Sequence, residues 1–180
     1  TTGTTTIGAA ISGITTLTTN AIGTTAVSAN ISSSGQQTFN DAVTVDGTLD
    51  FTASQVEFNS TLQGADGTGD NLTISGILDL NAAATNLTSL VVEGATELGG
   101  NVTTSGLQTY TDAVTLSGAA RTLTSTASGA VLFSSTIDGT QDLTVATDGL
   151  TTFDGLVGNT TILGAIDISG AGGLDLDAAI

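Results

Sequence analysis

The residues of this chain that could do chemistry are carboxylates, hydroxyls and a single guanidinium. Arg121 is the only basic residue, against 17 acidic ones, and there is no His or Cys. Ser and Thr make up roughly three residues in ten, far above ordinary usage. A hydroxyl becomes a nucleophile beside a base, and neither His nor Lys is present to serve as one. Two neighbouring carboxylates can act as acid and base. The nearest such pairs are Asp138 with Asp142 and Asp175 with Asp177. Asp175 and Asp177 alternate with Leu174 and Leu176, which predicts that both point to solvent from one strand face. The chain therefore reads as one without catalytic residues. Arg121, standing alone, cannot cradle a polyanion and reads as a surface or corner residue.

Calcium is the one cofactor the residue types leave open. Residues 65–71 read ADGTGDN and place Asp66, Asp70 and Asn71 among glycines. Calcium takes about six to eight oxygen ligands, and one loop with two carboxylates supplies few. The competing reading is a plain Asp-Gly turn. Residues 138–142 (DGTQD) hold the equivalent place one unit later. Asn30, Asn59, Asn71, Asn86, Asn101 and Asn159 each precede a Ser or Thr by two positions and form glycosylation sequons. A Thr-rich chain also produces such triplets by chance.

Composition bounds the partners. A formal charge of −16 excludes nucleic acid, whose phosphates need Lys and Arg, and anionic membrane surfaces. No apolar run is long enough to span a bilayer, so no membrane insertion is expected. Hydrophobic residues reach 39% but aromatics only 3%, so a core is available and must be built from Leu, Ile, Val, Ala and Thr. Thr is β-branched and favours strands.

The elements that must carry these residues repeat. Residues 122–139 and 142–158 align at a spacing of 20, pairing Leu123 with Leu143, Gly129 with Gly149, Phe133 with Phe153 and Ile137 with Val157. A longer period of about 72 sits above it. SSSGQQTFNDAVT at 32–44 matches TTSGLQTYTDAVT at 103–115 at an offset of 71, and Leu17, Leu90 and Leu163 stand 73 apart. Residues 48–64 match 122–139 at about 74. The whole chain, 1–180, reads as one continuous segment with units at about 1–31 (partial), 32–102 and 103–180. Inside each unit a bulky apolar residue is followed four positions later by Val, Ile or Leu: Val27 and Ile31, Phe39 and Val43, Phe58 and Leu62, Leu98 and Val102, Tyr110 and Val114, Phe133 and Ile137, Phe153 and Val157. The spacing also suits a helix, but the intervening Thr, Ser, Gly, Asn and Asp do not.

An all-β parallel β-helix, or β-solenoid, accounts for the pattern. Each coil of about 20 residues lays short strands on the coils before and after it, and the apolar pairs form an interior ladder. Three to four coils per long unit predicts eight to ten in all. The rival is a set of tandem β-sandwich domains of about 72 residues. Both ends read as unfinished, because solenoids need caps and neither end carries an obvious one. The partner this implies is the chain itself as a homopolymer, or neighbouring repeats of a longer chain.

GNVTTSGLQTYTDAVTL at 100–116, with the repeats of 122–161, resembles the Gly/Thr-rich segments of filamentous-haemagglutinin-like and other β-strand-repeat giant bacterial surface adhesins. That resemblance implies a right-handed β-helix at the cell surface, serving as stalk, adhesin or matrix fibre without catalysis. Glycans or other cell-surface material would be its further partners. The alternative function is a surface-protein binding module for glycan or calcium-dependent adhesion, carried on sandwich repeats. The 65–71 loop is also similar in outline to the calcium-binding nonapeptide of repeat-in-toxin proteins, with the spacing off by one and no tandem copy.

Overall fold

The chain winds nine times, and each turn stacks on the one before. A computed structural model describes residues 3–177. One face, A, is a nine-stranded parallel sheet with one strand from each coil, from Thr4–Ile7 in coil 1 to Ile166–Ser169 in coil 9. The other strands form a second sheet of fourteen, folded into two strips. Face B runs from Ile11–Ile14 to Leu174–Leu176, and face C begins at Leu17–Thr18 and Gln37–Phe39. Two long strands, Thr48–Phe58 and Asn71–Leu80, pass from face B to face C without a break. Every strand pairing is parallel, which hairpin-built sandwich domains cannot give, so the β-solenoid stands and the tandem-sandwich scaffold falls. No helix occurs among the described residues, so none is long and apolar enough to cross a membrane.

The sequence builds this from a cassette of strand plus corner. Strands of three to five residues alternate buried and half-buried side chains, as in Val131–Phe133 and Arg121–Ser125. Backbone amides reach the neighbouring coil, for example Ile137 N–H to Leu156 O at 3.0 Å and Leu143 N–H to Ala165 O at 2.9 Å. Coil length varies with the corners: Thr24 lies beside Ala42, 18 residues on, and Leu143 beside Ile166, 23 on.

The 20-residue copy is structural on two faces and shifted on the third. Phe133 pairs with Phe153 and Ile137 with Val157, as the repeat requires. On face A, however, Leu123 pairs with Val145, and Leu143 pairs with Arg121. The corner after Arg121–Ser125 is longer than the one that follows Leu143–Ala146, and Ser128 turns through it at a φ of 62°. The extra length moves face A by two residues and leaves B and C in step.

The longer period does not count whole coils. Gln37–Phe39 lies on face C, while its match, Gln108–Tyr110, lies on face B. Likewise Ala42–Val45 is on face A and its match, Val114–Leu116, on face C. Each match steps back one face, so the unit spans about three and two-thirds coils. The cassette fits any of the three sides.

Candidate functional site

The interior is one apolar column system running the length of the rod. The sequence-predicted ladder residues, Val27, Ile31, Phe39, Val43, Phe58, Leu62, Leu98, Val102, Tyr110, Val114, Phe133, Ile137, Phe153 and Val157, all lie in it. Two aromatic stacks mark the column. Phe39 sits 5.1 Å from Phe58 and 5.6 Å from Phe51 between ring centres. Phe133 sits 5.3 Å from Tyr110 and 5.1 Å from Phe153. In-register parallel stacking puts Phe58 on Phe39 and sets Tyr110, Phe133 and Phe153 in one column, while Phe51 is in register with Ile31; such ring pairs contribute beyond the area they bury.

Two buried glutamines stitch corners of the same local sequence. Gln37 Nε2 donates to Thr52 O at 2.9 Å and Gln108 Nε2 to Thr124 O at 2.9 Å. Tyr110, whose phenol is pushed upward by burial, donates to Gln108 Oε1 at 3.2 Å. The matching residue beside Gln37 is Phe39, which has no hydroxyl, and Gln37 Oε1 has no hydrogen-bond partner.

The proposed metal ligands are tied to the backbone. Asp70 is fully buried. Its Oδ1 accepts from Gly47 N–H at 3.1 Å, and its Oδ2 from Asp66 N–H at 3.1 Å and Gly67 N–H at 2.9 Å. Gly64 makes room for it, since a Cβ there would meet Asn86 O and the Asp70 carboxylate. Asp66 Oδ1 accepts from Thr68 N–H at 2.8 Å, closing its own turn. Asn71 bridges coils, taking Ser89 Oγ–H at 2.7 Å and donating to Thr48 Oγ1 at 3.0 Å. Among the described residues no group of three His, Cys, Asp or Glu side chains is placed to hold a metal ion.

Other carboxylates clamp one coil to the next. Asp138 Oδ1 accepts from Thr160 and Thr161 N–H at 2.7 and 2.9 Å. Asp142 and Asp148 accept from Ala165 and Ala171 N–H at 2.6 and 2.7 Å. Asp138 and Asp142 therefore hold backbone of coil 9 rather than facing a common substrate. Asp175 and Asp177 are exposed. Buried Asp41 accepts from Thr19 Oγ–H at 2.6 Å and Thr25 Oγ–H at 3.0 Å. Arg121 is 8% exposed and folds over its corner, with Nε donating to Ala119 O at 2.9 Å.

Two outward ladders on and beside face C were not read from the sequence. Asn59 Nδ2 donates to Asn40 Oδ1, and Asn81 Nδ2 to Asn59 Oδ1, each at 3.0 Å. The signal was available as Phe39-Asn40, Phe58-Asn59 and Leu80-Asn81, an apolar residue followed by Asn at uneven spacing. This ladder occupies the amide of one sequon, Asn59. Among the others, Asn30 and Asn101 accept backbone amides of the following coil through Oδ1, and Asn86 donates to Gly64 O. Asn159 is exposed.

The second ladder is Glu57, Asp79 and Glu97, aligned on adjacent strands. Partial burial raises the Asp79 pKa above the usual carboxylate value, and the charges of Glu97 and Glu57 add to the rise, while a hydrogen bond with Asn81 opposes it. A carboxyl raised in the folded state binds its proton more tightly there than in the unfolded chain. Its ionisation therefore lowers stability as pH rises through that raised value, and stability is regained on acidification toward 3.8. Asp79→Asn is expected to raise Tm at pH 7 slightly and to flatten the mildly acidic part of the Tm–pH profile. Thermal melts from pH 4 to 7 check it.

No protein-family model matches the chain, and comparison with curated proteins and with solved structures found no match.

Proposed function

We propose that this chain is a structural segment of a cell-surface filament, stalk or adhesin fibre that lengthens by stacking coil on coil. One observation carries the reading: a single apolar core runs from coil 1 to coil 9 through parallel strands stacked coil on coil. At the coil 9 end, Ile166 and Ile168 are half-buried, and Leu174 and Leu176 are 47% and 42% exposed although they continue the buried columns of face B. At the coil 1 end, Ile11, Ile14 and Leu17 are half-buried for the same reason. A further coil, from this chain or another, would cover each end and satisfy the strand edges there. The columns offer a continuous spine, and the acidic outer surface keeps neighbouring rods apart.

The test is electron microscopy and sedimentation velocity on the purified chain. Nine coils at about 4.8 Å each give a unit of about 40 Å. The expected result is rods in multiples of that length with an axial repeat of about 4.8 Å. The double variant Leu174→Asp, Leu176→Asp is expected to stay at single length. Wild-type protein that remains single-length at high concentration would overturn end-to-end stacking by this segment.

A further inference from the structure

Face C keeps its charge in one column. Its outward side chains form three columns over coils 2 to 8. The first carries Ile77, Ala95, Ala113, Thr136 and Leu156. The middle one carries Thr38, Glu57, Asp79, Glu97, Thr115 and Asp138. The third begins with the amide ladder of Asn40, Asn59 and Asn81. Neither outer column holds a charged side chain. Ile77 is 45% and Leu156 40% exposed, so two large apolar side chains stand in water. Beside Ile77 the small Ala95 and Ala113 leave a groove of about 250 Å³, walled by Glu97 and Thr115.

The middle column opposes itself at neutral pH. Glu57, Asp79 and Glu97 stand on consecutive coils, about 4.8 Å apart, where like charges repel. Glu57 Oε2 accepts from Gln36 Nε2 at 2.9 Å and from Thr38 Oγ–H at 3.3 Å. Asp79 Oδ1 is buried and has no hydrogen-bond partner. Beyond Glu97 come Thr115 and then Asp138. No strand brings a basic group to the column, because Arg121, the one cation, begins a face A strand. A proton on the column relieves the repulsion and gives one carboxyl a donor for the next.

We propose that face C is an acid-gated contact between two copies of this chain, closed when the middle column is protonated and held open by its charge at neutral pH. Symmetry sets the fit. A two-fold axis lying across the face turns two rods antiparallel and lays each column on its own kind. Apolar side chains then meet apolar, carboxyls meet carboxyls and amides meet the amide column. With the axis at coil 5, each Ile77 lies over Ala113 of the second copy and enters the groove there. The two Glu97 side chains face one another. Ionised, these carboxylates forbid the contact, since it would strip water from like charges on both rods. Protonated, they pair as neutral acids. Seven coils by three columns is about 34 Å by 13 Å, so pairing buries about 900 Å² in all. That is the size of a weak, reversible contact, which suits a switch. The contact is lateral and does not require end-to-end stacking.

The test is sedimentation velocity on the purified chain between pH 7 and 4.5, with a chelator and, separately, with calcium. Circular dichroism at each pH follows the fold, and electron microscopy gives rod width. Single rods are expected at pH 7. Pairs of double width and single length are expected by about pH 4.5, where ordinary carboxylates still carry most of their charge. Uptake of two protons on pairing would tighten it about 100-fold per pH unit. Glu57→Gln with Asp79→Asn and Glu97→Gln should pair already at pH 7 and lose the steep pH dependence. Asp46→Asn with Glu93→Gln and Asp154→Asn removes the same charge outside face C and should keep the wild-type profile. Wild-type rods that stay folded and single-width throughout would overturn the proposal without any variant. Single rods of the face C variant at pH 7 would overturn it where folding in acid plays no part. Equal gain in the two triple variants would make net charge the gate and overturn it too. So would pairing at pH 7 that needs calcium, which would give the column a cation in place of protons.

Discussion

Truncating Phe133 to alanine is expected to cost about 3–5 kcal/mol. The ring has no exposed surface and is the middle member of a three-ring stack with Tyr110 and Phe153. Removing it deletes the transfer energy of a phenyl group and leaves a cavity that the coils above and below cannot close, because their own backbones are fixed by interstrand hydrogen bonds. The loss should be local first. In a stack of repeats each coil depends on its neighbours, so coils 6 to 8 should open before coils 2 and 3, which have their own aromatic cluster at Phe39, Phe51 and Phe58. Amide hydrogen exchange followed by mass spectrometry reads this directly, and chemical denaturation gives the magnitude. Leu132→Ala, one residue away on the outward side of the same strand, is expected to change stability by less than about 0.5 kcal/mol. Equal effects at the two positions would mean that the aromatic column is not the spine of the rod.

The second large effect is expected at Asp70. Replacing it by alanine leaves the amides of Gly47, Asp66 and Gly67 without their acceptor in a corner where the carboxylate is fully buried. An unsatisfied buried donor costs about 1–3 kcal/mol, and solvent can reach part of the loop once the side chain is gone. A net loss of about 3 kcal/mol is the expected result. The same melts separate the two readings of the 65–71 loop. With its oxygens committed to three amides, Asp70 acts as a clamp, and wild-type Tm should not move on adding calcium or a chelator. A calcium-dependent rise in wild-type Tm that disappears in Asp70→Ala would restore the loop as a metal site.

That loop also shows why some of the structure was legible in the sequence and some was not. Phe133, Ile137, Phe153 and Val157 could be read because interior positions of a solenoid repeat at near-fixed spacing and tolerate only apolar residues. Parallel stacking followed from the same spacing. The phase of the coil did not. Gln37-Thr38-Phe39 and Gln108-Thr109-Tyr110 are near-copies with the same corner chemistry, yet one lies on face C and the other on face B. Local sequence specifies a strand and a corner, and the number of corners already turned decides the side. Asp70 was ambiguous for another reason. An Asp among glycines suits a calcium loop and a carboxylate that gathers backbone amides equally well, and only the fold shows which donors surround it. The Asn40–Asn59–Asn81 ladder escaped because corners of unequal length spread its members 19 and 22 residues apart.

The direction of the hydrogen bonds has a mechanical consequence. Strands lie across the rod, so the bonds between coils point along it. A pull on the two ends loads these bonds head-on, and the end coil peels while the others stay intact. Each coil contributes about 4.8 Å of rod, but its roughly 20 residues can extend to about 70 Å when released. Under tension the chain would lengthen in separate steps, each many times the height of the coil it consumes. A tether of this kind limits the force it transmits by giving up length, and it can rewind onto the coils that remain.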